Sequence, residues 1–103
     1  MKFGLSDRTI EKIQHVFEGF PEIDKAVLYG SRAKGNYQPG SDIDLTLFGT
    51  GLDHQRLSAI AEALDDLLLP YTIDLSVFDQ LRHPALEAHI ERVGQVFYQR
   101  KND

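Results

Sequence analysis

The chain of 103 residues contains no cysteine, carries a formal net charge of −5 and is 42% hydrophobic. The lack of cysteine excludes disulfides, thiolate metal sites and cysteine nucleophiles, and the acidic balance argues against a nucleic-acid binder that needs a basic face. The length predicts one domain over residues 1–103. Because no stretch resembles a signal peptide or a membrane span, we expect a cytoplasmic protein without a membrane partner.

The first third of the chain predicts a helix followed by a buried strand. Ser6 is a residue type that caps helices, and apolar residues recur at helical spacing from Ile10 to Phe20. Gly19 is expected to end this helix. The short apolar run at residues 25–29 (KAVLY) precedes a glycine and is typical of a buried strand.

A glycine-rich loop and a pair of aspartates come next. Residues 30–40 combine glycine, asparagine and proline and predict a loop, in which one helical turn can form at Ser31–Lys34. Residues 42–48 (DIDLTLF) predict a second strand. Side chains two positions apart on a strand share a face, so Asp42 and Asp44 should stand side by side with Thr46 next in their row. The alternate positions, all isoleucine or leucine, should face the core.

The second half of the chain repeats this alternation. Asp53 can cap a helix whose apolar stripe extends to Leu68, and Pro70 is expected to stop it. Residues 71–78 (YTIDLSVF) then predict a strand with Asp74 on its polar row.

The end of the chain predicts a last helix and a short edge strand. Pro84 suits the first turn of a helix and Gly94 its C-terminal cap. Residues 95–103 are expected to add an edge strand or one more turn. The order of elements predicts an α/β (α+β) fold with a small mixed sheet flanked by helices.

The aspartates of the two similar strands suggest a metal site. If these strands are neighbours in register, Asp42, Asp44 and Asp74 converge on one solvated face. Three carboxylates can hold two Mg²⁺ ions, one carrying a triphosphate and one activating a hydroxyl. The alternative is a sheet with one wet face on which aspartate is only solvated, although aspartate is a poor strand former.

The loop before the aspartates has donors for phosphate. Ser31 can donate its hydroxyl and backbone N–H at a turn, and Arg32 and Lys34 could offset triphosphate charge or be ordinary solvated cations. The loop has the glycine spacing of a P-loop but lacks its lysine and hydroxyl residue. None of the four histidines forms an i, i+4 zinc pair, so each is expected at the surface or the core edge.

The loop contains the motif Gly30-Ser31-Arg32-Ala33-Lys34-Gly35, followed by Ser41-Asp42-Ile43-Asp44. This motif resembles the GS…DxD signature of the nucleotidyltransferase superfamily. This family has a fold like the palm of DNA polymerase beta, and the chain is most similar to its minimal MNT-type members. The resemblance runs from about Ile10 to Tyr98.

The resemblance implies roles for residues of both motifs. It assigns catalysis and metal binding to Asp42, Asp44 and Asp74. It assigns triphosphate contacts to Gly30 and Ser31, and nucleotide binding extends to the nearby loop residues Arg32, Lys34 and Ser41. Many relatives have arginine at the position of Lys34. Lysine keeps the positive charge there but loses the bidentate geometry of arginine.

The resemblance also implies a reaction and a partner. It implies Mg²⁺-dependent transfer of AMP from ATP to a hydroxyl, most directly a tyrosine of a helical HEPN toxin that this chain would bind and neutralise as an antitoxin. No direct nucleic-acid partner is implied. Two alternatives stay open: a catalytic subunit for a small-molecule acceptor, and a partner that neutralises by binding alone.

Overall fold

The computed structural model describes residues 1–101 of the chain. The elements follow in the order α1 (Asp7–Glu18), β1 (Ile23–Tyr29), α2 (Gly30–Lys34), β2 (Ile43–Gly49), α3 (His54–Asp65), β3 (Ile73–Val77), a 3-10 helix (Phe78–Gln80), α4 (Pro84–Val93) and β4 (Gln95–Gln99).

The strands form one mixed sheet in the order β3-β2-β1-β4. Strand β1 pairs antiparallel with β2 and with β4, whereas β2 and β3 run parallel. A parallel pair needs a crossover connection, and α3 provides it. The predicted α/β fold with a small mixed sheet and flanking helices is confirmed.

One face of the sheet packs against α1 and α3 and forms the main core. The predicted inward positions of β2 are fully buried there. The buried apolar residues of this core are Leu5, Ile13, Phe17, Ile23, Ala26, Leu28, Ile43, Leu45, Leu47, Leu52, Ile60, Leu64, Val77 and Phe97. Alternation along each strand therefore directs the aliphatic residues as the sequence predicts.

The other face is only partly open to solvent. Val27 and Tyr29 of β1 pack there against Ile90 of α4, so α4 covers the middle of this face. Thr46, predicted on a solvated row, has no exposed surface. That expectation is corrected because Thr46 pairs with Val27, which belongs to this packed cluster and not to a wet face.

Helix ends follow the predicted caps with one exception. The side chains of Ser6 and Asp53 accept backbone N–H groups at the starts of α1 and α3. Helix α3 ends at Asp65, before the predicted stop at Pro70, and Leu68 is 88% exposed rather than part of the buried stripe. Leu68 has φ +55, a left-handed conformation through which an α-helix cannot continue.

The predicted edge strand at the end of the chain is confirmed as β4, which pairs only with β1 among the described strands. Residues 102 and 103 of the predicted segment lie outside the described residues. Over residues 1–101, none of the helices combines the length and apolar character needed to traverse a bilayer.

Candidate active site

The parallel pairing of β2 and β3 brings the acidic residues together. Asp44 lies directly opposite Asp74 in the register, and Thr46 lies opposite Ser76. Asp42 directly precedes β2. The prediction that the two similar strands are neighbours in register is confirmed.

The carboxylate of Asp44 is in an unfavourable place for a charge. Asp44 is half-buried, whereas Asp42 and Asp74 are exposed. Burial raises the pKa of Asp44, and the negative charges of Asp74 and Asp42 raise it further. A cation bound at this edge of the sheet would relieve both the burial cost and the repulsion.

The residues fit a magnesium ion held together with a substrate. The available donors are carboxylate oxygens, which Mg²⁺ prefers, and Mg²⁺ typically uses one or two protein carboxylates plus phosphates rather than an all-protein cage. Among residues 1–101, no three Asp, Glu, His or Cys side chains are grouped closely enough to hold a metal ion by themselves. The strand register therefore brings Asp44 beside Asp74, with Asp42 just before β2, as predicted. The three carboxylates do not, however, lie close enough together to form a metal site without other ligands.

Gly30 is required next to Asp44 for two reasons. It has φ +76, a left-handed conformation that glycine adopts without strain. A Cβ at this position would also collide with Oδ2 of Asp44. The first glycine of the loop and the second aspartate of the strand are thus in direct contact.

The predicted phosphate donors lie on a short helix. Helix α2 starts at Gly30 and is capped by Gly35, whose N–H donates to the carbonyl of Ser31 at 2.9 Å. Ser31 is half-buried and Lys34 is exposed at the end of the helix. Both lie on α2, which begins at the glycine that contacts Asp44.

Arg32 has a different place from the one the sequence predicts. It is 2% exposed, and its guanidinium lies against the rings of Tyr37 and Tyr71, 5.3 and 5.0 Å from their centroids. Nη1 donates to the carbonyl of Phe3 at 2.8 Å, and Nε and Nη2 donate to that of Ser41 at 3.1 and 2.8 Å. The predicted phosphate contact does not fit this placement, because the donors already bind carbonyls that fix the loop.

Ser41 also contributes to the loop's own structure. Its Oγ accepts the N–H of Gln38 at 2.8 Å, and its N–H donates to the carbonyl of Gln38 at 3.0 Å. Together with the carbonyl that Arg32 binds, these contacts order the chain immediately before Asp42. A direct nucleotide contact of Ser41 stays a prediction.

Two further side chains at the site were not among the predicted site residues. Tyr29 ends β1 opposite Asp44. Burial raises the pKa of its hydroxyl, the charges of Asp74 and Asp44 raise it further, and the Ser76 side chain lowers it in part. His89 of α4 accepts the N–H of Gly30 at Nε2, at 3.2 Å. Tyr29 precedes the loop directly, but nothing in the sequence places His89 beside it.

A polar group lies beneath the carboxylates. Thr46 Oγ1 is fully buried and has no hydrogen-bond partner among residues 1–101. Most buried hydroxyls in proteins are paired, so this one adds a folding cost on the same face as Asp44. By contrast, the groove lined by Gln14, Glu18 and Arg100 contains none of the predicted site residues.

The sequence matches a known family over most of its length. The model of the family described as polymerase beta, nucleotidyltransferase, matches residues 11–103. No curated protein matches the chain.

Several solved structures share the fold. A chain in a crystal structure of a toxin–antitoxin with AMP-PNP is 21% identical, with TM-score 0.70 over 94% of this chain and 76% of that chain. A chain in a complex of the tri-AMPylated Shewanella oneidensis HEPN toxin with MNT antitoxin is 18% identical, with TM-score 0.68 over 93% and 74%. A putative nucleotidyltransferase from Sulfolobus solfataricus is 21% identical, with TM-score 0.55 over 88% and 77%. At these identities the likeness shows the fold.

Proposed function

Because the chain belongs to the polymerase beta nucleotidyltransferase family, we propose that it transfers AMP from ATP, with Mg²⁺, to a tyrosine of a HEPN toxin and thereby acts as its antitoxin. The observation that carries this proposal is the pairing of Asp44 with Asp74 beside Gly30. It brings the GS motif, the D-x-D motif and the third carboxylate to one edge of the sheet.

The carboxylates of Asp42, Asp44 and Asp74 would hold the magnesium, with Asp74 on the side of the acceptor oxygen. When bound, Mg²⁺ neutralises triphosphate charge and favours the ionised acceptor. Ser31 would donate to the phosphates, and exposed Lys34 would supply a positive charge nearby.

The proposed transfer replaces one bond to phosphorus with another. The acceptor oxygen bonds to the α-phosphorus, the bond from that phosphorus to pyrophosphate breaks, and the acceptor proton is released to solvent. Positioning and electrostatic stabilisation are the main contributions that a protein makes to such a reaction. Since Asp42 and Asp74 are exposed, an acceptor that approaches from outside can reach them.

Two of the solved structures support the choice of nucleotide and acceptor. One neighbour is a toxin–antitoxin with AMP-PNP, and another contains a tri-AMPylated HEPN toxin bound to an MNT antitoxin. For this chain, a HEPN protein is therefore the acceptor to test first, as part of a hetero-oligomer.

The test is mass spectrometry of a HEPN protein from the same organism, first of all one encoded beside this chain, after incubation with this chain and MgATP. We expect an added AMP on a tyrosine, and we expect the double variant Asp42→Ala, Asp44→Ala to add none. A stable complex without an added AMP would contradict the proposed modification and favour neutralisation by binding alone. Pyrophosphate release that depends on a small alcohol instead of the protein would identify a small-molecule acceptor.

A further inference from the structure

The nucleotide loop proposed above is held by a side chain from the far end of the chain. His89 lies on α4, and its Nε2 accepts the N–H of Gly30 at 3.2 Å. Its ring stands edge-on to Tyr29, with the ring centroids 6.2 Å apart and an interplanar angle of 82°. The imidazole therefore contacts both residues at the junction of β1 and α2.

This hydrogen bond gives a partner to a backbone N–H that has none within the loop. The first N–H groups of a helix have no partner within the helix, and they are usually satisfied by the side chain of the N-cap residue. Tyr29 is the N-cap of α2 and makes no such hydrogen bond. His89 instead supplies, from another helix, an acceptor for the first of these N–H groups, that of Gly30.

The contact defines the state of the imidazole. A backbone N–H can only donate, so Nε2 of His89 must offer its lone pair and the proton of the neutral ring lies on Nδ1. A protonated ring has two donors and no acceptor, and could not make this contact with Gly30.

The position of His89 is fixed by packing. The next residue, Ile90, is buried against Val27 and Tyr29 on the same face of the sheet. Helix α4 is thus anchored on β1, which ends at the loop. An acceptor on this helix can hold the N–H of Gly30 in one direction.

We propose that His89 is a positioning residue for nucleotide binding. By fixing Gly30 in its left-handed conformation against Asp44, it sets the direction of the Ser31 backbone and side chain toward the phosphates. The inference rests on the proposed function, because it takes Ser31 as the phosphate donor.

The variants His89→Phe and His89→Gln separate hydrogen bonding from packing. Phenylalanine keeps a ring against Tyr29 but removes the acceptor, whereas glutamine can place a carbonyl oxygen near the position of Nε2. His54→Phe, at an exposed histidine at the start of α3, is the matched control.

The first measurement is the dissociation constant of AMP-PNP with Mg²⁺ by calorimetry. Losing one hydrogen bond should weaken binding by roughly fivefold to tenfold in His89→Phe, while His89→Gln and His54→Phe stay within about twofold of the wild type. In turnover, the KM for ATP should rise in His89→Phe with little change in kcat, since the residue acts on binding.

The second measurement is amide hydrogen exchange of Gly30 by NMR, which needs no nucleotide. Exchange at Gly30 should accelerate in His89→Phe and recover in His89→Gln. Unchanged AMP-PNP binding in His89→Phe would overturn the inference while leaving the proposed function intact. No AMP-PNP binding by the wild type would overturn the proposed function and the inference together, whatever the Gly30 amide shows.

Discussion

The face of the sheet under α1 and α3 is filled with aliphatic side chains, whereas the face under α4 carries Asp44, Asp74 and an unpaired Thr46 hydroxyl. Neighbouring residues of one strand therefore serve opposite purposes. Ile43 and Leu45 lower the free energy of the folded state by leaving water. Asp44 raises it, because its charge is half-buried beside two others. This cost is the reason for proposing that Asp44 serves binding or catalysis.

The largest expected effect is on the functional face. Asp74→Asn should abolish AMP transfer while partly sparing nucleotide binding, because Asp74 is placed on the acceptor side of the proposed magnesium site. We expect a loss of at least about 100-fold, the scale of removing one preorganised electrostatic group. The measurement is the rate of pyrophosphate release in the presence of the partner protein.

The matched control is Asp79→Asn, at an exposed aspartate in the 3-10 helix that follows β3. It should keep the wild-type rate. Equal rates for Asp74→Asn and the wild type would remove Asp74 from the proposed site.

The next effect is on the core face. Leu45→Ala should lower the free energy of unfolding by about 2–5 kcal/mol, the usual cost of truncating a fully buried leucine. Transfer per folded molecule should stay near the wild-type value. Urea unfolding with activity measured below the transition checks both, and a loss of activity without a loss of stability would break the contrast between the two faces.

Two glycines of the loop allow the contact with Asp44 to be isolated. Gly30 and Gly35 have φ +76 and +87, so alanine at either position costs about 1–2 kcal/mol of backbone strain. Only at Gly30 would the added Cβ meet a carboxylate, since nothing lies within 4 Å of one at Gly35. Gly30→Ala should therefore weaken AMP-PNP binding, while Gly35→Ala should mainly lower stability. Equal binding losses in calorimetry would show that the Asp44 contact is unimportant.

Arg32→Lys tests the corrected role of that residue. Lysine cannot reproduce the several hydrogen bonds that the buried guanidinium makes, so stability should fall by about 2 kcal/mol. Nucleotide binding should weaken as a consequence of loop disorder. An unchanged thermal midpoint with lost nucleotide binding would instead identify Arg32 as a phosphate ligand.

The smallest expected effect is the pH dependence of stability that Asp44 causes without divalent cations. Its pKa in the folded state is raised above the ordinary 3.8. Its contribution to stability is therefore fully present below the unfolded pKa and is lost as the pH rises through the folded pKa. The variant Asp44→Asn should have the same free energy of unfolding as the wild type in acid and a higher one at neutral pH. Parallel unfolding curves across this range would contradict the assigned cause.

The local pattern in the sequence predicted much of this contrast. The alternation in residues 42–48 was enough to separate Asp44 from its aliphatic neighbours. The similar pattern around Asp74 predicted the register, because a one-residue slip would expose the core row. The capping residues predicted where most of the helices begin.

The features that the sequence did not predict depend on contacts between distant parts of the chain. Arg32 is buried because the carbonyls of Phe3 and Ser41 converge on it, and no local pattern reveals that. Thr46 is buried beside Val27, which packs against a helix that follows much later in the chain. His89 meets Gly30 across 59 positions, so a lone histidine in a helix gave no signal of its place.

The central claim is that nucleotide and metal bind where Asp44 meets Asp74 and Gly30. The most direct test is paramagnetic broadening of amide NMR signals by Mn²⁺ added with AMP-PNP. The signals of Gly30, Asp44 and Asp74 should disappear first in the wild type, and those of Gly30 and Asp74 should persist in the variant Asp44→Asn. Broadening centred instead on the acidic pair Asp65 and Asp66, or unchanged by the variant, would contradict the account.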